Sequence, residues 1–157
     1  MRKVLNVAII IIIVFSLTGC GGRSQIINTG YSKNVSETII RCFNDEDIGA
    51  LVKIFSPYIQ ENEDLEEQIE DAFDEIEGKI TSYKVFSYGY DGSIREGKWI
   101  IKNEQVQIYD IVTETGEKYI IDYSEYLIYD DKSEEGIYEL FLRDEENNII
   151  QKMGGYK

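Results

Sequence analysis

Two aspartates interrupt runs of strand-forming apolar residues: Asp110 in Tyr109-Asp110-Ile111-Val112 and Asp122 in Ile120-Ile121-Asp122-Tyr123. A carboxylate among apolar neighbours can act as a general base, and the hydroxyls of Tyr88, Tyr109, Tyr123, Tyr126 and Tyr138 can donate hydrogen bonds to a developing oxyanion. The chain has no histidine, so the usual base, the commonest metal ligand and all His-activated nucleophiles are missing. Register weighs against a catalytic pair. If Thr115-Gly116 is a two-residue hairpin loop, Tyr109 faces Asp122 and Asp110 faces Ile121, which puts the two carboxylates on opposite faces of the sheet. Only a bulge, for instance near Ser124-Glu125, would change that. The expectation is therefore exposed acids and no catalytic residue. Twelve tyrosines, mostly on strands, suit a recognition face, for which Tyr88, Trp99, Tyr109, Asp122, Tyr126 and Tyr138 are the candidates.

The second chemical signal lies at the N-terminus. Arg2 and Lys3 precede an apolar run from Val4 to Leu17, which is too short for a transmembrane span of about 20 residues and has the layout of an export signal. Leu17-Thr18-Gly19-Cys20 matches the bacterial lipobox, in which a diacylglycerol is placed on the cysteine and cleavage makes that cysteine the new N-terminus. The expected organisation is a signal peptide over 1–19, the lipidated Cys20 with a flexible tether to residue 33, and one folded domain over 34–157. The protein would then sit on the extracytoplasmic face of the cell membrane. With Cys20 acylated, Cys42 has no partner for a disulfide, and its neighbours Ile39 and Phe43 at helical spacing assign it to a core.

Charge removes further classes. Sixteen Lys and Arg against thirty Asp and Glu give a net charge of -14, and loss of Arg2 and Lys3 with the signal makes it 14 minus 30, or -16. Phosphate backbones would be repelled, so no nucleic-acid partner is expected. Nor is a cofactor or metal. The acids between Glu61 and Glu77 read as a solvated helix face. The run Asp131, Ser133, Glu135, Gly136 resembles the start of a calcium loop but reaches Leu142 where a bidentate Glu is required.

The elements that carry these residues change character once along the chain. Asn34 with Glu37 predicts a helix start, with Val35, Ile39 and Phe43 on one face. Asn44 or Asp45 caps a second helix bearing Ile48, Leu51, Val52 and Phe55 and ending at Ser56-Pro57. A third spans Asp64 to Glu77, with Gly78 as its C-cap. Four strands follow: Thr81 to Tyr90, Lys98 to Thr113, Lys118 to Tyr129 and Gly136 to Arg143, with Asp91-Gly92 as the first turn. A last extended piece around Ile149 to Lys152 is a candidate edge.

The lipobox, the segment from Asn44-Asp45-Glu46-Asp47 to Phe55-Ser56-Pro57, Gly78-Lys79-Ile80 with Tyr83, the run from Tyr109 to Tyr119, and Glu135-Gly136-Ile137-Tyr138 resemble a family of uncharacterised lipoproteins of Gram-positive bacteria, a domain of unknown function. The resemblance implies an NTF2-like (cystatin-like) α+β cone, with three N-terminal helices packed on a curved antiparallel sheet of about four strands. It carries no catalytic residue, because fold alone does not imply function. The expected role is a non-catalytic module binding a small molecule or a protein at the cell surface. The alternative is an enzyme of that fold using a carboxylate for proton transfer.

Overall fold

A computed structural model describes residues 30–61 and 64–156. Four helices, α1 (Gly30–Asp45), α2 (Ile48–Val52), α3 (Pro57–Gln60) and α4 (Leu65–Asp74), precede strands β1 (Ile80–Arg95), β2 (Lys98–Thr113), β3 (Lys118–Ile128), β4 (Gly136–Asp144) and β5 (Ile149–Gly154). The strands form one open antiparallel sheet in the order β1-β2-β3-β4-β5. This corrects the expected fold. Among the described residues the chain is strand-rich, with five strands rather than four and two of the four α-helices no longer than five residues, so the NTF2-like cone of three helices on a four-stranded sheet is not what it forms.

The local causes of the differences are plain. Asp47 caps α2 by accepting from the Ala50 N–H at 2.9 Å, but Ser56-Pro57 starts α3 as well as ending what precedes it. Ser56 accepts from Ile59 N–H at 3.3 Å, and Pro57 takes the first helical position, where its missing N–H costs nothing. Helix α1 begins at Gly30, four residues before the predicted start and inside the predicted tether, and Ser32 and Ser36 are fully buried. Strand β1 runs straight through Asp91-Gly92. The turn is Glu96-Gly97, with φ of 52° and 76°, joining the pair Arg95 and Lys98. Gly92 has φ 141°, and a Cβ there would lie 2.2 Å from the Ile101 carbonyl oxygen, so this glycine lets two strands approach closely inside the hairpin.

One face of the sheet is covered by the helices. Ile39 and Phe43 of α1, Leu51, Phe55, Ile59, and Leu65, Ile69 and Ala72 of α4 close on Val106, Ile108, Ile121, Leu140, Leu142 and Met153. Cys42 lies in this core as a free thiol, its pKa raised by burial and then by Asp47. At about 25 cal/mol per Å² of apolar surface, a core of this kind is the main force holding helices to sheet. Directional contacts set the alignment: Asn44 of α1 both donates to Ile80 O (3.1 Å) and accepts from Ile80 N–H (2.7 Å), and Gln68 of α4 accepts from Gly154 N–H of β5 (2.9 Å). The lipidation expected at Cys20 and the expected export signal over residues 1–19 lie outside the described residues. No helix among the described residues is long and apolar enough to cross a membrane.

Candidate functional site

Alternation along a strand puts every second residue on one face. On β2 the covered face carries Ile108, Val106 and then Glu104; on β3 it carries Ile121, Tyr123 and then Glu125. The pairing is Ile108 with Ile121, Val106 with Tyr123 and Glu104 with Glu125. Two glutamates thus face each other at the end of an apolar ladder, at 0% and 1% exposure. The same cross-sheet row continues to Tyr90 on β1, opposite Glu104, and to Ile137 on β4, opposite Glu125.

Helix α1 matches this change from apolar to polar. Its inward residues are Ile39 and Phe43 over the apolar rows and Ser32 and Ser36 over the acid row. Ser32 Oγ donates to Glu104 Oε1 at 2.8 Å, and Ser87 Oγ on β1 donates to the same oxygen. Tyr123 Oη shares a hydrogen bond with Ser36 Oγ (3.1 Å) and donates to Ser32 O (3.1 Å). Glu104 is therefore held on one oxygen, while its Oε2 and Glu125 Oε1 have no hydrogen-bond partner. Burial pushes the Glu125 carboxyl up to about 8, and the facing Glu104 pushes in the same direction. Near neutral pH Glu125 is a carboxylic acid with a proton to donate.

Glu125 forms part of the wall of an open cleft of about 670 Å³ between the α2–α3 segment and the β2–β3 end of the sheet. Ile54, Pro57, Leu127 and Ile128 supply apolar walls, and Lys53, Gln60, Tyr90, Lys102 and Glu135 the polar ones. Lys102 precedes Glu104 by two residues on the same strand, and its ammonium sits 3.6 Å from the centre of the Tyr90 ring. Glu135 is already engaged: it pairs with Lys132 and accepts from Tyr129 N–H at 3.1 Å, contacts that hold its carboxyl below its usual range. Gly136, with φ 123°, allows the α2–α3 segment to close on β4, since a Cβ there would be 2.9 Å from Ser56 N.

The residues singled out from sequence do not assemble into one site. The connection from β2 to β3 is Glu114 to Glu117 rather than two residues, and Asp110, with φ 50°, sits at the shift in register between Ile108 and Ile111. Asp122 consequently faces Gln107 and not Tyr109. It lies on the open face of the sheet, bound to Arg143 Nε at 2.6 Å and Gln107 Nε2 at 2.9 Å. Asp110 is exposed and pairs with Lys84 at 2.7 Å, and Tyr109 is half-buried beside the same lysine. Tyr88 and Trp99 are exposed, Tyr88 against Phe86 and beside a small hollow of about 150 Å³. Tyr126 and Tyr138 do meet, stacked at 4.7 Å, in a run of aromatic contacts that continues to Tyr129 on one side and to Tyr156 and Tyr58 on the other. Of the six candidates only Tyr126 lines the cleft.

Residues 38–146 match the model of a domain of unknown function, DUF5104. The chain belongs to the DUF5104 family. The matched span includes Lys53, Lys102, Glu104, Glu125 and Glu135 and leaves out Ser32, Val35 and Ser36 of α1. No curated protein matches the chain.

Proposed function

We propose that this DUF5104 domain is a non-catalytic binding module for a small molecule, held outside the cell membrane by a diacylglycerol on Cys20, like the Gram-positive lipoproteins its sequence resembles. The observation that carries the binding half of this reading is the open cleft itself, whose lining residues include Glu125, a fully buried residue with one carboxyl oxygen lacking a hydrogen-bond partner. Buried polar atoms without partners are rare because each costs about 1 to 3 kcal/mol, and a ligand that supplies the partner recovers that cost on binding. The anchoring half is supported by the lipobox and the charged, apolar and small-residue order before it.

The test is a thermal-shift screen of the full chain against small metabolites, repeated with Val35→Trp, which fills the cleft from α1. Saturable stabilisation lost in that variant supports the reading; a screen without any saturable hit, or hits indifferent to the filling residue, overturns it. A second reading, an enzyme moving a proton with a carboxylate, is favoured by the same group, since a carboxyl that titrates near neutral pH is suited to acid–base work. Turnover of a bound compound that disappears in Glu125→Gln, with binding kept, would put that reading first.

A further inference from the structure

Charge within the cleft runs against charge on the molecule. The chain as a whole is acidic by 14 charges, yet the cleft offers Lys53 and Lys102, neither of them in an ion pair among the described residues. Its two acids do not offset them: Glu135 is taken by Lys132, and Glu125 is buried against Glu104. Of the two tyrosines lining the cleft, Tyr90 is covered by the Lys102 ammonium and Tyr126 is already stacked on Tyr138 and edge-packed against Tyr129. No arginine is among the lining residues, which removes the bidentate fork that favours phosphate groups.

Resting on the cleft being a small-molecule site, we infer that it takes an organic carboxylate on an apolar body: Lys102 and Lys53 hold the charge, the Glu125 carboxyl donates a hydrogen bond to one ligand oxygen, and the body lies against Ile54, Pro57, Leu127 and Ile128. Each part answers an observation. The unpaired ammoniums gain a counter-charge, the orphaned Glu125 gains an acceptor, and the apolar walls lose contact with water. A cationic ligand would meet two ammoniums and a neutral acid, which disfavours it on every side.

Three probes of one shape separate the possibilities: benzoate, benzylammonium and benzamide, each titrated into the full chain in lipid nanodiscs and followed through the methyl resonances of Ile54 and Ile128. Benzoate is expected to shift both methyls saturably, and more tightly than the other two. Lys53→Glu, an exposed change that leaves the core intact, should weaken benzoate about tenfold or more, and Lys102→Ala should do the same with the fold checked by circular dichroism. Glu125→Gln, which keeps a donor, should retain binding that Glu125→Leu loses. Tighter binding of benzylammonium or benzamide, or benzoate binding indifferent to both lysine changes, would overturn the inference while leaving a small-molecule cleft in place. Failure of all three probes to shift either methyl would overturn both.

Discussion

Burial and a like-charged neighbour act in the same direction on Glu125, so its proton is part of the folded state. In the unfolded chain the group titrates near 4.5, and in the fold near 8. Between those values the native state binds more protons than the unfolded one, so the stability tied to this proton is complete below about pH 4.5 and is lost as pH rises through 8. The wild type should therefore lose stability relative to Glu125→Gln over that window, with a slope approaching about 1.4 kcal/mol per pH unit and a total of roughly 1 to 3 kcal/mol after local relaxation. Urea unfolding of both proteins at pH 5 and pH 8 checks this, and parallel profiles would exclude a protonated Glu125. The aspartates on the open face behave differently. Asp122 is held by Arg143 and Gln107 with side chains only about a quarter exposed, so Asp122→Asn should cost about 1 kcal/mol. Asp110 pairs with Lys84 in the open, and Asp110→Asn should change stability by no more than about 0.5 kcal/mol. Denaturant midpoints for the two variants separate the cases.

At the scale of elements, the cleft depends on how closely the α2–α3 segment meets β4. Ser56 N–H donates to Ile137 O at 2.8 Å, and Ile137 N–H donates to Ile54 O at 3.1 Å, a short parallel bridge that fixes Phe55 in the core. Gly136 stands beside this bridge in a left-handed conformation, with no room for a methyl group against backbone atoms that cannot swing aside. Gly136→Ala should cost at least about 2 kcal/mol, through both the strained φ and the clash. Gly89 has positive φ too, but nothing within 4 Å of its added Cβ, so Gly89→Ala should cost only the conformational part, about 1 kcal/mol. Thermal melts of the pair distinguish close approach from backbone preference, and equal losses would show that contact with Ser56 does not matter.

For the whole molecule, acidity and the lipobox make separate predictions. A net charge of -14, with an acidic outer face on α4, destabilises the compact state by self-repulsion. Added sodium chloride should raise the Tm as the Debye length shrinks from about 30 Å at 0.01 M to about 10 Å at 0.1 M. A Tm that falls over that range would mean that specific ion pairs outweigh the general repulsion. Cys20→Ala should abolish incorporation of a labelled fatty acid and release or misprocess the protein, because two acyl chains supply an anchor that one cannot. Membrane association and mass unchanged by that substitution would refute the lipoprotein assignment.

Determined by sequence alone were the acidity, the helix-then-strand order, the boundaries of β2 and the place of Cys42 in the core, because each follows from composition or local spacing. Tertiary structure decided the sheet's fifth strand, the α3 turn and above all the site. Asp110 and Asp122 drew notice because apolar residues flank them, but in a strand the residues on either side point to the opposite face. For Asp122 the adjacent apolar residues therefore point to the covered face and leave it outside, whereas Asp110, with Ile108 and Val112 two positions away, is turned out by the register shift at which it sits. The neighbours two positions away decide burial, and by that measure Glu104, beside Val106 and Ile108, and Glu125, beside Tyr123 and Ile121, were already on the covered face. That signal was present in the chain. What it could not contain was the register: a longer β2–β3 connection and the shift at Asp110 change which residues face each other by two positions. Pairing across strands is set by loop geometry and by packing of the whole covered face, so only the folded molecule brings Glu104 opposite Glu125 and sets Lys53 and Lys102 in the wall of the same cleft.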